Sequence, residues 1–546
     1  MSNKRTPFSA PFFVVFCLAL FLLGCANRQL PQGGPRDRDP PKLLKATPPN
    51  MNRSFNGKVI KLDFDEYFKL NNQYTEVVMS PAPAKLPEYK IKGKSLVITL
   101  KDSLEKNTTY VINFGKSIAD VNEGNILKNF TYVFSTGIHI DSLSISGHVT
   151  NILTQEKVKD ATVMLFTLKQ DSLLFGKKRP TIFTTTDTSG NFSLNNLHPG
   201  DYKIYALKEN APNKIYDNDQ ELIAFNKKTI HLTTDTDNVE LKLFKQTPEK
   251  FRLVDRRFDP DGKMFFTFNR ALDNPSLRVN YPPDLDKVKI VDFSKTRDTA
   301  ILFMPNMAFD SLSVSFLDNN KVLDTTDLKK GKKEAFTRSI FFQYNLTNDK
   351  LKPGTTLTLK ANLPIDSFDA SLFTLKEDST EVSNFTLQKD TADARLIKFN
   401  YRWKQNANYT LTIDGDAFTD IYGDKNKPSR RLFNIDKPEN YSQLTLNVTV
   451  SDTGKSYIVQ LLNDRESLIR SDVIHKNASL VYKNYLTGKY RVSVIYDDND
   501  NGKWDSGNLK QKRQPENIWA DKEIITLRPN WDQVTPIAIP REPTTP

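Results

Sequence analysis

The sequence predicts an all-β protein built as a string of β-sandwiches. Apolar and polar residues alternate with a period of two in many short runs, for example SLVITL at residues 95–100 and TLTLKANL at residues 356–363. Such alternation places one face of each strand in a core. The chain also contains 30 Pro and 21 Gly, and turn residues bound the runs. Helical spacing sustained over three turns is almost absent, which argues against helical and α/β classes.

The N-terminus has the pattern of a secretory signal peptide, residues 1–24. Lys4 and Arg5 precede an apolar run of about a dozen residues, whereas a membrane-spanning helix needs about 20. The run ends in LLGC at Cys25, which resembles the lipobox of bacterial lipoproteins. That resemblance implies cleavage after Gly24 and lipidation of Cys25. An ordinary signal peptide is the alternative. Residues 25–40, rich in Pro and Gly, are expected to form a tether.

Cysteine usage agrees with an exported, lipid-anchored chain. The sequence has two Cys, and Cys17 lies in the segment that cleavage would remove. The mature chain would then have no disulfide, no thiol nucleophile and no Cys metal ligand. Ala26, where an Asp would signal retention in the inner membrane, favours the outer membrane. We expect the cell surface rather than the periplasmic face.

The net charge of +12 comes from basic residues that are mixed with acids along the chain. The densest basic groups are KKGKK at residues 329–333 and KQKR at residues 510–513. A soluble surface with excess Lys is the simpler interpretation, and attraction to phosphates or acidic sugars of a membrane surface is the functional one. Nucleic acid is not an expected partner of an exported chain.

Two internal repeats divide the chain into modules. The first pairs the strand at Tyr110 and the loop at Asp120 with the strand at Tyr409 and the loop at Asp420. The second is ungapped, at an offset of 288 residues, and matches GDYKIYALK at residues 200–208 with GKYRVSVIY at residues 488–496. An ungapped match of this kind indicates duplication.

These repeats carry two family resemblances. Residues 40–137, with FDE at 64–66 and the closing FSTG, resemble a bacterial Ig-like domain of the surface-layer type. Residues 144–200, with SISGHVT and TTTDTSGNFSLNNLHPG, resemble the prealbumin-like or carboxypeptidase-regulatory-like sandwich. Together with GCAN at residues 24–27, they make the chain similar to outer-membrane lipoproteins of Bacteroidota.

The predicted organisation after the signal peptide and tether has five modules. They are an Ig-like sandwich at 41–138, a prealbumin-like sandwich at 139–248, Ig-like sandwiches at 249–346 and 347–437, and a prealbumin-like sandwich at 438–546. The module at 249–346 is placed by elimination.

The sharpest local motif is YDDNDNGKWDSGN at residues 496–508. Asp497, Asn499, Asn501 and Asp505, with Gly502, occupy positions 1, 3, 5, 9 and 6 of a calcium loop, where oxygen ligands suit a hard cation. Asn508 replaces the Glu expected at position 12, and the flanking segments are strands, so this is not an EF-hand. A structural Ca²⁺ or a polar loop held by Asx turns remain the two interpretations, and no other cofactor is expected.

Tripeptides of the form Asp, then Ser or Thr, then Leu, Ala or Thr are similar to the O-glycosylation acceptor motif of exported Bacteroidota proteins. The alternative is that Asp-Ser and Asp-Thr start turns. The candidate acceptors are Ser103, Ser142, Ser172, Thr299, Ser311, Thr325, Ser379 and Thr391.

No catalytic constellation emerges, so the chain is predicted not to be an enzyme. Its five His are in unrelated contexts without metal-ligand spacing, and no nucleophile elbow or phosphate loop with Gly and Lys is present. The four Trp, at residues 403, 504, 519 and 531, are candidates for a sugar-stacking platform or for core filling.

We therefore expect a structural or docking subunit of an outer-membrane protein complex, whose partner is an integral β-barrel protein. The resemblance to Bacteroidota lipoproteins implies an accessory of the β-barrel assembly machinery. A glycan-binding protein of a nutrient-uptake system is the main alternative, and a cell-envelope hydrolase is a weaker one.

Overall fold

The computed structural model describes residues 36–210, 213–218, 220–331 and 336–542, without the side chains of residues 172–174. The signal peptide, Cys25 and most of the tether therefore lie outside the described residues. The predicted all-β class is confirmed, since the α-helices of the described residues are the short Gln73–Glu76 and Leu168–Leu174. Single 3₁₀ turns occur at Pro283–Lys287, Ala370–Leu372 and Pro438–Asn440. The chain divides into two compact units, Met1–Ile140 and Asp141–Pro546.

The first unit contains one sandwich. Its strands are β1 (Leu43–Thr47), β2 (Val59–Phe64), β3 (Phe68–Leu70), β4 (Val78–Ser80), β5 (Glu88–Lys92), β6 (Ser95–Thr99), β7 (Thr109–Asn113), β8 (Ile118–Asp120) and β9 (Thr131–Ser135). A sheet of order β1-β2-β6-β5 and a sheet of order β4-β7-β9 enclose the core, and β3 pairs with β8. The alternation in VIKLDF buries Ile60, Leu62 and Phe64 and leaves the intervening side chains on the outer face.

The second module opens the second unit. Its strands are β10 (Leu143–Asn151), β11 (Thr162–Thr167), β12 (Ile182–Thr185), β13 (Asn191–Leu197), β14 (Gly200–Lys208), β15 (Leu222–Phe225), β16 (Ile230–Leu232) and β17 (Thr236–Lys245). They form a sheet of order β12-β11-β14-β15-β17-β10-β13, with β16 paired to β14. Strands β10 and β17 run parallel, and a Cβ on Gly147 would lie 1.9 Å from the Val239 carbonyl oxygen. This close approach requires glycine.

The third module has its own core, which includes Phe266, Leu302 and Val314. Its strands are β18 (Leu253–Phe258), β19 (Met264–Phe268), β20 (Pro275–Tyr281), β21 (Ile290–Phe293), β22 (Thr299–Phe303), β23 (Ser311–Asp318) and β24 (Lys321–Lys329). The sheet orders are β18-β19-β22-β21 and β20-β23-β24. Both correspond, strand for strand, to the two main sheets of the first module.

The fourth module repeats the first more completely. Its strands are β25 (Phe342–Tyr344), β26 (Leu346–Thr347), β27 (Lys350–Leu351), β28 (Leu357–Ala361), β29 (Ile365–Phe368), β30 (Phe373–Glu377), β31 (Thr380–Val382), β32 (Thr386–Lys389), β33 (Leu396–Asn400), β34 (Asn408–Ile413), β35 (Phe418–Asp420) and β36 (Ser429–Ile435). The sheet β25-β28-β33-β32 matches β1-β2-β6-β5, and the pair β29-β35 matches β3-β8. The second sheet has the order β26-β27-β36-β34-β30-β31.

The fifth module repeats the second. Its strands are β37 (Tyr441–Val450), β38 (Ser456–Asn463), β39 (Leu468–Ile474), β40 (Ala478–Leu486), β41 (Gly488–Asp497), β42 (Ile518–Ala520), β43 (Ile525–Leu527) and β44 (Gln533–Ile539). The sheets β40-β37-β44 and β39-β38-β41-β42 enclose the core, with β43 paired to β41. Strands β37 and β44 are parallel, as β10 and β17 are in the second module.

Repeated tyrosines have the same structural role in each copy. The hydroxyl oxygens of Tyr110 and Tyr409 accept hydrogen bonds from backbone N–H groups five residues earlier, at 2.8 and 2.7 Å. The hydroxyls of Tyr202 and Tyr490 donate to carbonyl oxygens four residues earlier, at 2.8 and 2.6 Å. Each bond lets a bulky ring fill the core while its polar group stays satisfied.

Candidate functional site

The loop that follows β41 contains the four predicted calcium ligands. Asp497 ends the strand and is buried, and its carboxylate accepts hydrogen bonds from the backbone N–H groups of Asn501 and Gly502 at 3.1 and 2.9 Å. The side-chain amides of Asn499 and Asn501 donate to Asp505 Oδ2 at 2.5 and 2.9 Å. The four residues thus converge, and their own hydrogen bonds hold the loop in an Asx-type turn.

Glu516, which sequence reasoning missed, closes this loop. Its buried carboxylate accepts hydrogen bonds from the backbone N–H groups of Asp498 and Asp505 at 2.9 and 2.8 Å. Burial is the main cause that raises the pKa of Glu516 to about 7, and the negative charges of Asp505 and Asp497 nearby raise it further. Among the described residues, no group of three or more His, Cys, Asp or Glu side chains is arranged to hold a metal ion. The calcium site stays a prediction.

The corresponding loop of the second module has the same hydrogen-bond scheme. Glu209 accepts from the backbone N–H groups of Asn213 and Lys214, and the Asn213 amide donates to Asp217 Oδ2 at 3.0 Å. Glu221 accepts from the Asp217 N–H at 3.2 Å, as Glu516 does from Asp505. The offset between the copies is 288 residues at Asp217, which matches Asp505, and 295 residues at Glu221, which matches Glu516. The fifth module therefore carries a seven-residue insertion between Asp505 and Glu516. Glu221, at the equivalent position of the second module, is the feature of the sequence that could have indicated the role of Glu516.

The insertion docks the fifth module onto the second through hydrogen bonds that each join a backbone group to a side chain. Ser506 Oγ donates to the carbonyl oxygen of Lys245 at 2.5 Å, and the Leu509 N–H donates to Gln246 Oε1 at 2.9 Å. Gly507 is buried, and a Cβ at this position would lie 2.5 Å from the ring of Phe244. Only a residue without a side chain fits here, so the close contact depends on glycine.

Side chains of the KQKR group reinforce this contact. Lys510 Nζ lies 2.9 Å from Glu249 Oε2, and Lys512 Nζ lies 3.3 Å from the Tyr205 hydroxyl. Gln514 Nε2 donates to the carbonyl oxygen of Phe225 at 2.7 Å. One of the two densest basic groups of the sequence therefore contributes to an internal interface.

Two arginines connect the third and fourth modules. Arg338 donates from Nε to the Asp261 carbonyl oxygen at 3.0 Å, and its guanidinium lies 3.9 Å from the centre of the Tyr422 ring. Arg395 pairs with Asp292 and lies over the ring of Phe303 at 5.7 Å. A cleft of about 260 Å³ lies beside Arg395. The carboxylates that line this cleft are all ion-paired, Asp292 with Arg395, Asp390 with Lys398 and Asp393 with Lys360.

Further contacts join the fifth module to the third and fourth. Lys503 Nζ lies 2.6 Å from Asp273 Oδ1, and Asn484 Nδ2 donates to the Pro353 carbonyl oxygen at 2.9 Å. Lys352 lies over the ring of Tyr441 at 5.8 Å. The modules of the second unit are thus linked beyond their sequence neighbours.

The predicted glycosylation acceptors are spread over the modules. Thr299 and Ser311 are half-buried at the starts of strands, the side chain of Ser172 lies outside the described residues, and the exposed acceptors are Ser103, Ser142, Thr325, Ser379 and Thr391. Glycosylation of these residues stays a prediction. The exposed acceptors are the favourable ones, since a transferase needs access to the hydroxyl.

Histidines and tryptophans do not assemble into a site in the described part of the chain. His198, His231 and His475 each face one carboxylate in a different place, at 3.3, 2.6 and 2.8 Å. Trp403 packs in the fourth core and Trp519 against the fifth. Trp531, by contrast, is 63% exposed. No two tryptophans form an exposed platform.

Comparison with known protein families finds a match for the first module. Residues 37–136 match the model of a family described as a bacterial Ig-like domain, which confirms the resemblance predicted for the first module. No curated protein matches the chain. Within the described residues, no helix has the length and apolar character needed to cross a membrane.

Solved structures similar to this chain include a pilin subunit, a surface layer protein and SGBP-B. BcpA, the major pilin subunit of Bacillus cereus, is 10% identical, with 73% of this chain and 98% of that chain covered and a TM-score of 0.13. The surface layer protein SbsC, domains 1–6, is 10% identical, with 90% and 67% covered and a TM-score of 0.14. SGBP-B of the Bacteroides ovatus mixed-linkage glucan utilization locus, in complex with a heptasaccharide, is 10% identical, with 71% and 91% covered and a TM-score of 0.18. Likeness at this level carries no argument about function.

Proposed function

We propose that the chain is a non-enzymatic, lipid-anchored lipoprotein of the outer membrane that serves as a structural docking subunit of a membrane protein complex. The observation that carries this proposal is the docking of the fifth module onto the second, across 261 residues between Ser506 and Lys245. A contact of this kind fixes the relative positions of modules that sequence connectivity alone would leave free. A scaffold needs such fixed surfaces, whereas an enzyme needs a reactive cleft.

The lipid on Cys25 places this scaffold at the outer membrane, with the cell surface as the favoured side. Its partner is an integral β-barrel protein, and the β-barrel assembly machinery is the complex that the lipoprotein resemblance suggests. A structural Ca²⁺ in the loop at Asp497 would strengthen the inter-module contact, because the insertion starts within the same loop.

The glycan-binding alternative requires an exposed aromatic platform. Trp531 is exposed, but Trp504 is half-buried and donates from Nε1 to the Glu516 carbonyl oxygen at 3.0 Å. The tryptophans therefore do not supply the pair of coplanar exposed rings that sugar stacking demands. The hydrolase alternative has no observation in its favour.

The test is a mild-detergent pull-down of the tagged, lipidated chain from outer membranes, with co-purifying proteins identified by mass spectrometry. Cys25→Ser, which abolishes lipidation, is the matched control. We expect a stoichiometric integral membrane partner with the lipidated chain and little of it with the control. A lipidated chain that purifies alone would overturn the docking function, and glycan arrays would then test the alternative.

A further inference from the structure

The outer face of one sheet in the first module is rich in lysine. On the sheet β1-β2-β6-β5, register places Lys61, Val97 and Lys90 in one row. The next row holds Lys45, Asp63, Ser95 and Lys92. Lys101 follows β6 on the same face, where it contacts Glu88. We name this surface the lysine face, defined by Lys45, Lys61, Lys90, Lys92 and Lys101.

The lysine face has more positive charges than its carboxylates neutralise. Asp63 pairs with Lys61 at 2.8 Å, and Glu88 pairs with Lys90 and Lys101 at 2.5 and 2.7 Å. Lys45 and Lys92 lie within ion-pair distance of no carboxylate among the described residues. All five lysines are exposed. Five lysines and two carboxylates leave a net charge of +3 on this face.

The matching sheet of the fourth module shows that the topology itself does not require this charge. On β25-β28-β33-β32, Lys360 pairs with Asp393 at 2.8 Å and Lys398 pairs with Asp390 at 2.7 Å. Lys360 and Lys398 are half-buried, and each has its own carboxylate, so their charges are neutralised. The excess positive charge is a property of the first module, the one that follows the tether.

The geometry of the lysine face suits a planar surface. Four strands spaced about 4.8 Å apart give a face about 14 Å wide, with its lysines projecting from one side. Strand β1 forms one edge of this sheet. The 18 residues from Cys25 to Leu43 reach at most about 65 Å when fully extended. A lipid on Cys25 would therefore confine the lysine face to within this distance of the bilayer, and the resulting high effective concentration makes even weak attraction effective.

We propose that the lysine face binds the anionic phosphate headgroups of the membrane that anchors the chain. The inference rests on the lipid anchor of the proposed function and adds a second membrane contact to it. A single lysine near an anionic bilayer contributes about fivefold in affinity, and the attraction acts within a Debye length of about 10 Å. The contact would orient the first module on the membrane.

Vesicle co-sedimentation tests the proposal with the mature full-length chain carrying Cys25→Ser, so that no lipid contributes. Vesicles of phosphatidylethanolamine with phosphatidylglycerol are compared with vesicles of phosphatidylcholine alone. We expect binding to the anionic vesicles only, and its loss at about 1 M salt, where the Debye length is about 3 Å. Equal binding to both vesicles would overturn the proposal.

Matched variants separate the lysine face from the overall charge of the chain. Lys45→Gln with Lys92→Gln should weaken binding to anionic vesicles about 25-fold, the product of two fivefold losses. Lys360→Gln with Lys398→Gln removes the same charge from the fourth module and should change binding by less than about twofold. Equal losses in the two variants would overturn the proposal.

The outcome is independent of the protein-docking function. The vesicles contain no protein, so failure of this assay leaves the docking function standing. A lipidated chain that purifies without a partner would in turn leave the lysine face standing. Circular dichroism of both variants is the control that checks whether the substitutions have altered the fold.

Discussion

At the scale of single residues, equivalent loop aspartates in the first and fourth modules have opposite electrostatics. Asp120 is buried, and its two carboxylate oxygens accept hydrogen bonds from the backbone N–H groups of Glu123, Gly124 and Asn125. Asp420 is equally buried but accepts from the N–H groups of Tyr422 and Asp424 with Oδ1 alone, and its Oδ2 has no hydrogen-bond partner among the described residues.

These environments shift the two pKa values in opposite directions. Burial raises the pKa of Asp420 more than its backbone donors lower it. Burial is also the largest influence on Asp120, but the backbone donors together outweigh it and lower the pKa of that carboxyl. Hydrogen bonds to both oxygens thus decide which influence prevails.

The first prediction concerns pH. A raised folded-state pKa means that Asp420 contributes stability at low pH that is lost as pH rises through that pKa, and the lowered pKa of Asp120 has the reverse effect. The melting temperature of Asp420→Asn relative to wild type should therefore rise with pH, and that of Asp120→Asn should fall. Thermal unfolding of both variants from about pH 2 to pH 7 measures this, because unfolded Asp titrates near 3.9, so the Asp120 effect falls below that pH and the Asp420 effect above it. Parallel pH trends would contradict it.

The second prediction concerns Arg338, whose side chain is 15% exposed between the third and fourth modules. Arg338→Ala removes a buried stack on Tyr422 and a hydrogen bond to Asp261, and should lower the free energy of unfolding by about 2 kcal/mol. The control is Arg470→Ala, since the Arg470 side chain is 50% exposed and lies 5.4 Å from the ring of Tyr482. Urea unfolding should show a loss below about 1 kcal/mol for the control. Equal losses would contradict the bridging role of Arg338.

At the scale of elements, period-two alternation and the two repeats predicted the strands. They succeeded because a strand that covers a core must alternate and because duplicated modules keep the same tyrosine positions. The docking insertion was not predictable in the same way. Its contacts pair Ser506 with Lys245 and Leu509 with Gln246, at separations where no local pattern connects the partners. The spacing of an EF-hand also directed attention to Asn508 rather than to Glu516.

The third prediction concerns the insertion itself. Gly507→Ala places a methyl group against the ring of Phe244, which is 1% exposed and cannot move aside freely. We expect a loss of about 1–3 kcal/mol in the free energy of unfolding from this overpacking, with faster proteolysis within residues 503–514. Gly200→Ala is the matched control, because its Cβ would meet nothing nearer than 3.8 Å. Identical proteolysis of both variants would show that the insertion is not docked.

At the scale of the whole molecule, residues 141–546 contain four cores that inter-module contacts join into one compact unit. A docking subunit must hold its binding surfaces at fixed separations, so this joining is what a scaffold requires. The first module has a separate core, which includes Ile60, Ile98 and Ile112. The lysine face lies on this module, so the membrane contact proposed for it concerns the first unit alone.

Differential scanning calorimetry of the mature chain tests this rigid scaffold most directly. We expect one cooperative transition for the four modules of residues 141–546 and a second for the first module, because coupled modules unfold together. Gly507→Ala should broaden or split the larger transition and leave the smaller one unchanged. Separate transitions for each module in the wild-type chain would contradict the scaffold, since independent modules could not present a fixed docking surface.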